Sequence, residues 1–284
     1  MAFYSVCSLI IESDLLPKKY QPFLISDNTV SEHVDMMIRK VSYSHKRTQL
    51  RKVLQLSHMT VWREVSDRNS KWVYEILNGM GTISVDEEYS EVEIFCNDFD
   101  GYLDPESLRE ICSPYIQIII ECKLIQNGYV ILHSACIEKD GNAYAFTGPS
   151  GVGKSSRAEK WCELLTANWI SGDRPAINAC NGTVHGVPWD GKEAVYRNYH
   201  CPLKAILKVN RSEDTSIKDM EDKEKIQLLC EQTSIPLWDP VVAAKAMYLI
   251  KMLIKQVPIY NVYCDITDES TVKTYQIINN KTGL

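Results

Sequence analysis

An eight-residue stretch from Gly148 to Ser155 has the residue types and spacing of a phosphate-binding loop. It reads G-P-S-G-V-G-K-S and matches G-x-x-x-x-G-K-[S/T] at every fixed position. Glycines let the backbone wrap around an anion with its N–H groups pointing inward, and a following helix N-terminus adds a positive dipole. Lys154 then reaches the terminal phosphates, and the Ser155 hydroxyl can ligate Mg²⁺. The predicted nucleotide contacts are Gly148, Ser150, Gly151, Val152, Gly153, Lys154, Ser155 and Ser156.

Strings that are missing from the chain narrow the class of nucleotide-binding protein. A GTPase needs N-K-x-D, whereas the only Asn-Lys pair here begins N-K-T-G at Asn280. The chain has no L-S-G-G-Q string, which transporter ATPases carry, and 147 residues precede the loop, unlike in small nucleotide kinases. The alternative is a chance glycine-rich turn, against which a predicted strand before the loop and a helix after it both argue. These features argue against a GTPase, a transporter ATPase and a small nucleotide kinase.

Two further side chains are candidates for catalysis. Asp173 follows the loop by about twenty residues and could orient an acceptor hydroxyl, accept its proton, or ligate Mg²⁺. The alternative is a turn residue ahead of Arg174. His133 lies on a predicted strand whose end approaches the loop, so it is a candidate for a catalytic or phosphate contact; a structural strand histidine is the alternative.

A cluster of charged residues follows Trp189. The cluster contains Lys192, Glu193 and Arg197, and the cations among them could clamp phosphates or an acidic substrate; a solvated loop is the alternative. Arg197 is assigned to the nucleotide site. Asp190 is interpreted as a turn residue. Histidines 185 and 200 have no acidic or cysteine neighbours at metal-ligand spacing, so they are expected to be structural.

The first hundred residues are expected to form a β-rich domain. Short β-type runs alternate with turn signals, and the last two runs flank a turn near residues 79 to 81. Helical periodicity is confined to residues 34 to 39. The predicted strands are Phe3–Ile11, Val61–Val65, Trp72–Ile76 and Val92–Cys96.

A helix start at Asp104-Pro105 marks the change to the second domain. Asp at the N-cap and Pro at the first helical position favour a helix, which should run to Gly128 with a kink or break at Pro114. The boundary is placed near residue 100, giving domains 1–100 and 101–284.

The second domain is predicted to be α/β with an α+β tendency. Strands 130–137 and 142–147 should form a hairpin at Asp140-Gly141 that leads into the loop, and a helix should run from about Lys154 to Leu165. The remaining predictions are strands at Trp169–Ser171, Leu203–Val209 and Ile259–Cys264, and helices at Ile217–Gln232, Val241–Gln256 and Glu269–Ile278.

Four segments in this order resemble the HPr kinase/phosphorylase family, within the P-loop superfamily of ATP-dependent phosphoenolpyruvate carboxykinase. They are H-S-A at 133–135, G-P-S-G-V-G-K-S-S at 148–156, I-S-G-D at 170–173 and G-V-P-W-D-G-K at 186–192. The similarity spans roughly residues 105–275 and is greatest to the short kinases of bacterial peptide-modification clusters. The resemblance implies a P-loop kinase core that uses ATP and Mg²⁺ and transfers a phosphoryl group to a hydroxyl of a peptide or protein, which in that family is a serine. It also implies that Asp173 acts on the acceptor.

The chain departs from the family at two positions. The family has paired aspartates where this chain has Gly172-Asp173, and HPr kinases proper have glutamate where it has Ser156. The second departure argues against HPr as the substrate and against reverse phosphorolysis. The first motivates a rival interpretation, a nucleotide-binding regulatory module without transfer activity. A small-molecule hydroxyl kinase is the other alternative.

The N-terminal domain offers a route to a peptide acceptor. Apolar strand edges such as Phe3–Ile11 or Val92–Cys96 could pair with an extended peptide by strand addition. The alternative is that these strands only brace the kinase core.

Composition sets limits on the remaining function classes. The chain has 284 residues, 45% hydrophobic and 24% charged, which is typical of a folded globular protein. A net charge of −6 argues against a nucleic-acid partner, and no apolar run reaches the length of a membrane helix. The ten cysteines include no C-x-x-C pair, so we expect reduced, mostly buried thiols in a cytoplasmic protein. Self-association is left open.

Overall fold

The computed structural model describes residues 1–26, 33–42, 50–57, 59–64, 70–76, 79–97, 104–189 and 191–282. The chain is of the α/β class, with 33% helix and 37% strand. It separates into two compact units, Met1–Leu124 with Pro236–Pro240, and Ile125–Ile235 with Val241–Leu284. This division falls at residue 124 and not near residue 100, where the sequence placed it.

The first unit is built on one nine-stranded sheet. The strands are β1 (Ala2–Val6), β2 (Leu9–Ser13), β3 (Leu24–Ile25), β4 (Met36–Lys40), β5 (Leu50–Gln55), β6 (Thr60–Glu64), β7 (Lys71–Ile76), β8 (Gly81–Asp86) and β9 (Glu91–Cys96). A 3₁₀ helix, Lys18–Phe23, precedes β3. The strand order in the sheet is β3-β1-β2-β4-β9-β8-β7-β6-β5; β2 is parallel to β4, and β4 is parallel to β9.

Three predictions for this unit are wrong. The run Phe3–Ile11 is a hairpin and not one strand, because the chain turns at Cys7 and Ser8, both of which have positive φ. Residues 34 to 39 lie largely in strand β4, whose pairing with β2 and β9 overrides their helical periodicity. Strand β8 lies between the two runs that were expected to flank one turn. Val65, the end of another predicted strand, lies outside the described residues.

The strand edges proposed for peptide binding are already paired. Strand β1 pairs with β2 and β3, and β2 pairs with β1 and β4. Strand β9 lies between β4 and β8. Strand addition is therefore wrong at the positions that pair on both sides, which are residues 3 and 4 of β1, 11 to 13 of β2 and 92 to 94 of β9.

Helix α1 (Pro105–Gln126) begins where the sequence predicted. Asp104 Oδ1 accepts hydrogen bonds from the backbone N–H groups of Glu106 (2.9 Å) and Ser107 (3.0 Å), which satisfies two of the free donors of the first turn. Pro114 lies inside the helix without dividing it. Arg109 Nε donates to the Asp14 carbonyl, and Lys123 Nζ donates to the Glu88 carbonyl. These bonds tie both ends of α1 to the first unit, which explains why the boundary falls in the last turn of this helix and not before it.

The second unit carries a second sheet with four helices. The strands are β10 (Tyr129–Ile131), β11 (Ser134–Lys139), β12 (Asn142–Thr147), β13 (Asn168–Ser171), β14 (Ala176–Asn178), β15 (Thr183–His185), β16 (His200–Arg211), β17 (Ser216–Asp219) and β18 (Ile259–Cys264), and the helices in the described residues are α2 (Lys154–Leu165), α3 (Asp222–Gln232), α4 (Pro240–Gln256) and α5 (Asp268–Thr282). The strand order is β10-β14-β15-β16-β12-β11-β13, and β18 pairs with both β16 and β17. Strand β12 is parallel to β16, and β16 is parallel to β18.

Most predictions for the second unit are confirmed. Strands β11 and β12 form the expected antiparallel hairpin at Asp140-Gly141, and α2 has the predicted bounds. The predicted strand 130–137 is instead two strands, broken at Leu132-His133. The predicted helix Ile217–Gln232 begins as strand β17, which pairs with β18. Helix α3 starts only at Asp222, after the N-cap residue Glu221, which forms a capping box with Glu224.

Aromatic packing fixes α2 on the sheet. The Trp161 ring centroid lies 5.0 Å from that of Tyr144 and 5.3 Å from that of Phe146, both on β12. Tyr275 of α5 packs at 5.4 Å on the same indole. Because β12 and α2 flank the loop 148–153, this cluster holds both ends of the loop in place.

Two predictions concern the whole chain. All ten cysteines are free thiols, as expected, and six of them are buried. Within the described residues, no helix combines the length and the apolar character needed to cross a bilayer.

Candidate functional site

The loop between β12 and α2 depends on three glycines in left-handed backbone conformations. Gly148, Gly151 and Gly153 have φ values of 136°, 77° and 102°. L-residues rarely adopt such conformations, whereas glycine does so at no steric cost. A Cβ on Gly153 would also lie 2.9 Å from Nη1 of Arg157. The loop therefore needs glycine at these positions to turn from strand to helix.

Lys154, the first residue of α2, folds its side chain back over this loop. Its Nζ donates hydrogen bonds to the carbonyl oxygens of Gly148 (3.0 Å) and Pro149 (3.3 Å). Burial lowers the pKa of this ammonium, and the nearby charge of Asp173 opposes that shift. An anion in the loop would offer the ammonium stronger, charge-assisted hydrogen bonds than these two neutral carbonyls do.

His133 and Asp173 meet beside the loop because β11 lies between β12 and β13. His133 lies in the break between β10 and β11. Its backbone N–H donates to the Gln232 carbonyl (2.7 Å), and its backbone carbonyl accepts from the Thr147 hydroxyl (2.9 Å). Asp173 follows β13. His133 Nε2 lies 3.8 Å from Asp173 Oδ1, so the two are close without a direct hydrogen bond.

The His133 imidazole is held neutral by its surroundings. Burial is the largest cause of its lowered pKa, and the positive charges of Lys154 and Arg174 act in the same direction. Asp173 opposes this shift. Since the pKa lies below the ordinary value of 6.5, the ring is uncharged at pH 7 and leaves the Asp173 carboxylate without a cationic histidine partner.

The turn that carries Asp173 is held by two side chains that sequence reasoning did not assign. The Ser171 hydroxyl donates to the Asp173 carbonyl (2.8 Å), and Nε1 of Trp189 donates to the Arg174 carbonyl (3.1 Å). Arg174 has a φ of 49°, a left-handed conformation that is unfavourable for a residue with a Cβ. Trp189 is only 2% exposed, so its indole is a fixed donor. Together these bonds fix the turn, and with it the direction of the Asp173 side chain.

One oxygen of Asp173 is buried without a hydrogen-bond partner within the described residues. That atom is Oδ1, which faces His133, whereas Oδ2 lies 3.7 Å from Nε of Arg174. Buried carboxylate oxygens are normally satisfied, so an unpaired one indicates a ligand or solvent position. Among the described residues, no group of three or more His, Cys, Asp and Glu side chains could hold a metal ion. Mg²⁺ commonly uses only one or two protein oxygens and completes its shell with water and phosphate.

Other predicted site residues have different contacts. Arg197 Nη1 donates to the Trp169 carbonyl (3.0 Å), and its guanidinium stacks on Tyr199 at 4.3 Å. These contacts hold it against β13, and within the described part of the chain no hydrogen bond of Arg197 reaches the loop. His185 and His200 stack on each other, with ring centroids 5.1 Å apart. Asp190 lies outside the described residues.

The site thus combines a glycine-rich strand–loop–helix segment, a lysine ammonium within that loop, and a carboxylate with a neutral histidine beside it. These groups can bind a polyanion and orient or deprotonate a hydroxyl next to it. No protein-family model matches the chain, and a search of curated proteins finds no significant match.

Proposed function

We propose that this protein is an ATP- and Mg²⁺-dependent kinase that transfers the γ-phosphoryl group to a hydroxyl, a serine of a peptide or protein, in the manner of the HPr-kinase-like enzymes it resembles. The observation that carries the proposal is the pairing of two features. The Lys154 ammonium lies within a glycine loop, and Asp173, with one buried unpaired oxygen, stands at the end of a nearby strand of the same sheet.

The loop and its lysine would hold the phosphates of ATP. The backbone N–H groups of residues 151 to 155 suit the oxygens of a polyphosphate, and Lys154 suits the terminal ones. The hydroxyl of Ser155 and the carboxylate of Asp173 would hold Mg²⁺, which when bound neutralises charge on the transferred group. The unpaired Oδ1 of Asp173 supports this fit, because no hydrogen-bond donor of the described residues satisfies this buried oxygen.

Asp173 also acts on the acceptor. Its carboxylate orients the acceptor hydroxyl and takes its proton as the new oxygen–phosphorus bond forms and the bond to the β-phosphate breaks. A charged His133 would pair with Asp173 at 3.8 Å and weaken it as a base. The lowered pKa of His133 avoids that pairing at pH 7. A neutral His133 therefore leaves the Asp173 carboxylate available to act as the base.

The resembled family has an aspartate at the position of Gly172, and its absence here leaves a nucleotide-binding module without transfer activity as a competing function. Gly172 cannot supply a second carboxylate, so all acid–base work in this proposal falls on Asp173. ATP consumption without an acceptor would not separate a kinase from such a module. Incorporation of phosphate into an acceptor separates them.

A small-molecule hydroxyl is a second candidate acceptor, favoured by one observation in the first unit. The strands proposed to capture a peptide, β1–β2 and β9, are paired on both sides over part of their length. Strand addition at those positions therefore no longer supports a polypeptide acceptor, which rests on the resemblance alone.

The test is to incubate the protein with ATP and Mg²⁺ against serine-containing candidate peptides, including products of neighbouring genes, and a panel of hydroxyl metabolites. Mass spectrometry then identifies the phosphorylated species. We expect one phosphate on a peptide serine and none in a parallel reaction with Asp173→Asn. Phosphate on a metabolite with every peptide untouched would establish the small-molecule alternative, and no incorporation into any acceptor would favour the regulatory module.

A further inference from the structure

Strand β5 ends the sheet of the first unit and has an unpaired outer edge. It pairs with β6 and, within the described residues, with no other strand. It has six residues, whereas the other strands that end a sheet in the described part of the chain, β3, β10, β13 and β17, have two to four. Such an edge presents backbone N–H and C=O groups with which another extended chain can pair. An edge for strand addition therefore exists, at a strand other than those predicted from the sequence.

This edge lies in a basic part of an acidic protein. Residues 36–63 contain seven Lys and Arg and no Asp or Glu, although the whole chain has a net charge of −6. Two of the seven, Arg51 and Lys52, are exposed on β5. Successive residues of a strand point to opposite faces, so the edge carries one cation on each face. An acidic chain beside the edge is therefore attracted on either face.

The register of β5 and β6 places two cations opposite each other at this edge. Arg51 is the partner of Arg63 across the two strands. The Arg63 guanidinium bonds to Glu87, but its Nη1 is buried with no hydrogen-bond acceptor within the described residues. Like charges directly opposite each other destabilise a pair of strands, and an anion beside them offsets that repulsion. The pair therefore favours a carboxylate at the edge.

The edge also exposes apolar side chains. The register shifts between Lys52 and Leu54, so Val53 is an extra residue that the bulge leaves unpaired. Val53 is 42% exposed, and Leu56, directly after the strand, is 44% exposed. A chain that matches the edge therefore combines apolar residues with acidic ones.

The charges of β5 exclude a second copy of this strand as its partner. Bulges and basic side chains on an edge discourage association between like strands. Two copies of β5 side by side would bring Arg51 and Lys52 of one against the same cations of the other, which is unfavourable. A nucleic acid has the required negative charge but no row of backbone N–H and C=O groups at strand spacing. The edge is thus suited to an acidic polypeptide.

From these observations we propose that the free edge of β5 binds an extended, acidic segment of a polypeptide as a tenth strand of the nine-stranded sheet. The backbone of the segment pairs with the outer edge, and its carboxylates lie beside Arg51 and Lys52. Its apolar side chains contact Val53 and Leu56. We assign the segment to the acceptor polypeptide. That assignment rests on the proposed function, whereas binding of the peptide needs no ATP and is measured separately.

The experiment measures the fluorescence anisotropy of labelled peptides with the whole protein, without ATP. At about 150 mM salt, charges more than about 8 Å apart are largely screened. The probe has about eight residues and alternates valine with glutamate, and the reference peptide alternates valine with lysine. We expect the acidic peptide to bind at least about tenfold more tightly. Methylation of all its backbone nitrogens keeps the charges but removes the N–H donors, and should weaken binding at least about tenfold.

Two double variants locate the binding on β5. Arg51→Gln with Lys52→Gln removes both cations of the edge, and affinity for the acidic peptide should fall at least about fivefold. The matched control is Arg39→Gln with Lys40→Gln, which removes the same exposed pair of residues from β4, inside the sheet between β2 and β9. Along the sheet, five strand spacings of about 4.8 Å separate β4 from β5, so the control should keep the affinity within about twofold.

Three results would overturn this proposal. Equal binding of the acidic and basic peptides, or equal losses in the two double variants, would exclude an acidic partner at β5. Undiminished binding of the methylated peptide would exclude strand addition. Tighter binding of a single-stranded oligonucleotide of the same charge, lost in Arg51→Gln with Lys52→Gln, would assign the edge to nucleic acid. Peptide binding as expected, with no phosphate transferred to any acceptor, would overturn the proposed function and leave this surface standing.

Discussion

The glycine loop and the Asp173 turn both hold the backbone in left-handed conformations, but they do so by different means. In the loop, Gly148, Gly151 and Gly153 adopt positive φ because they have no Cβ. In the turn, Arg174 adopts a φ of 49° despite its Cβ. Side-chain hydrogen bonds from Ser171 and Trp189 hold that turn. The positive φ values of the loop come from its own glycines, whereas the strained residue of the turn is bonded by the indole of Trp189, fifteen residues away. Substitution of Trp189 should therefore affect the turn and not the loop.

The largest expected effect is that of Lys154→Ala, which changes the glycine loop. The substitution removes the ammonium that bonds to Gly148 and Pro149 and that would bond to the terminal phosphates. We expect phosphoryl transfer to fall by about 10³-fold, as for the loss of a group that stabilises transition-state charge. Initial rates with saturating acceptor measure it.

Lys160→Ala is the matched control for that prediction. Lys160 lies on the same helix and pairs with Asp268 at 2.8 Å. Its removal should leave transfer within about twofold, because exposed ion pairs contribute little. Undiminished transfer by Lys154→Ala would contradict the assignment of the loop.

Asp173→Asn should have the next largest effect and should separate the turn from the loop. The amide keeps the shape of the side chain but removes its charge, so the phosphate loop stays intact while the base is lost. Transfer should fall by about 10²-fold, with affinity for ATP within about threefold. Transfer within about threefold of the unmodified protein would move the role of base to His133.

Trp189→Phe tests whether the turn depends on its outside donor. Phenylalanine keeps an aromatic ring in the buried position but cannot donate to the Arg174 carbonyl. The expected result is a fall of about fivefold in kcat with KM for ATP unchanged, since the turn loses one hydrogen bond worth about 1 kcal/mol. The pH profile should change in the same variant, because Asp173 is held less firmly beside His133.

The matched control for Trp189→Phe is Trp161→Phe, in the aromatic cluster of α2 and β12. It should lower the melting temperature without changing the pH profile. Equal effects of the two substitutions on kcat and on the pH profile would show that Trp189 acts through general stability and not through the turn.

The smallest effect is expected from His133→Gln, and only at acidic pH. His133 has a pKa lowered below 6.5, so it is neutral above that pH and becomes protonated as the pH falls below it. Protonation creates a cation 3.8 Å from Asp173 Oδ1 and should lower transfer. Glutamine is neutral throughout, so His133→Gln should match the unmodified protein within about threefold at pH 7.5 and lose this acidic decline. An identical acidic decline in both proteins would exclude His133 as its source.

The sequence predicted the loop side of the site better than the turn side, for a physical reason. The hairpin β11–β12, its Asp140-Gly141 turn and helix α2 follow from local signals, namely turn residues and glycines at fixed spacing. The bond from Trp189 to Arg174 spans fifteen residues and depends on how the chain packs. The G-V-P-W-D-G-K segment marked Trp189 as notable but did not indicate what its indole bonds.

The same distinction explains the errors in the fold. The turn at Cys7-Ser8 has positive φ at both positions but no glycine or asparagine to signal it, so its two strands were predicted as one. Strand β4 forms because β2 and β9 pair with it on either side, which a local helical pattern does not reveal. Pairing of distant segments overrode local preference in both the fold and the site.

Kinase activity with Asp173 as the base is tested by measuring ATP affinity and phosphoryl transfer together, on one preparation each of the unmodified protein and Asp173→Asn. Calorimetry gives the affinity, and ATP labelled in its γ-phosphate gives the transfer to an acceptor hydroxyl. We expect both proteins to bind ATP with affinities within about threefold of each other, while the variant transfers phosphate about 10²-fold more slowly. Tight binding of ATP by the unmodified protein, with no label reaching any peptide or metabolite hydroxyl, would contradict it.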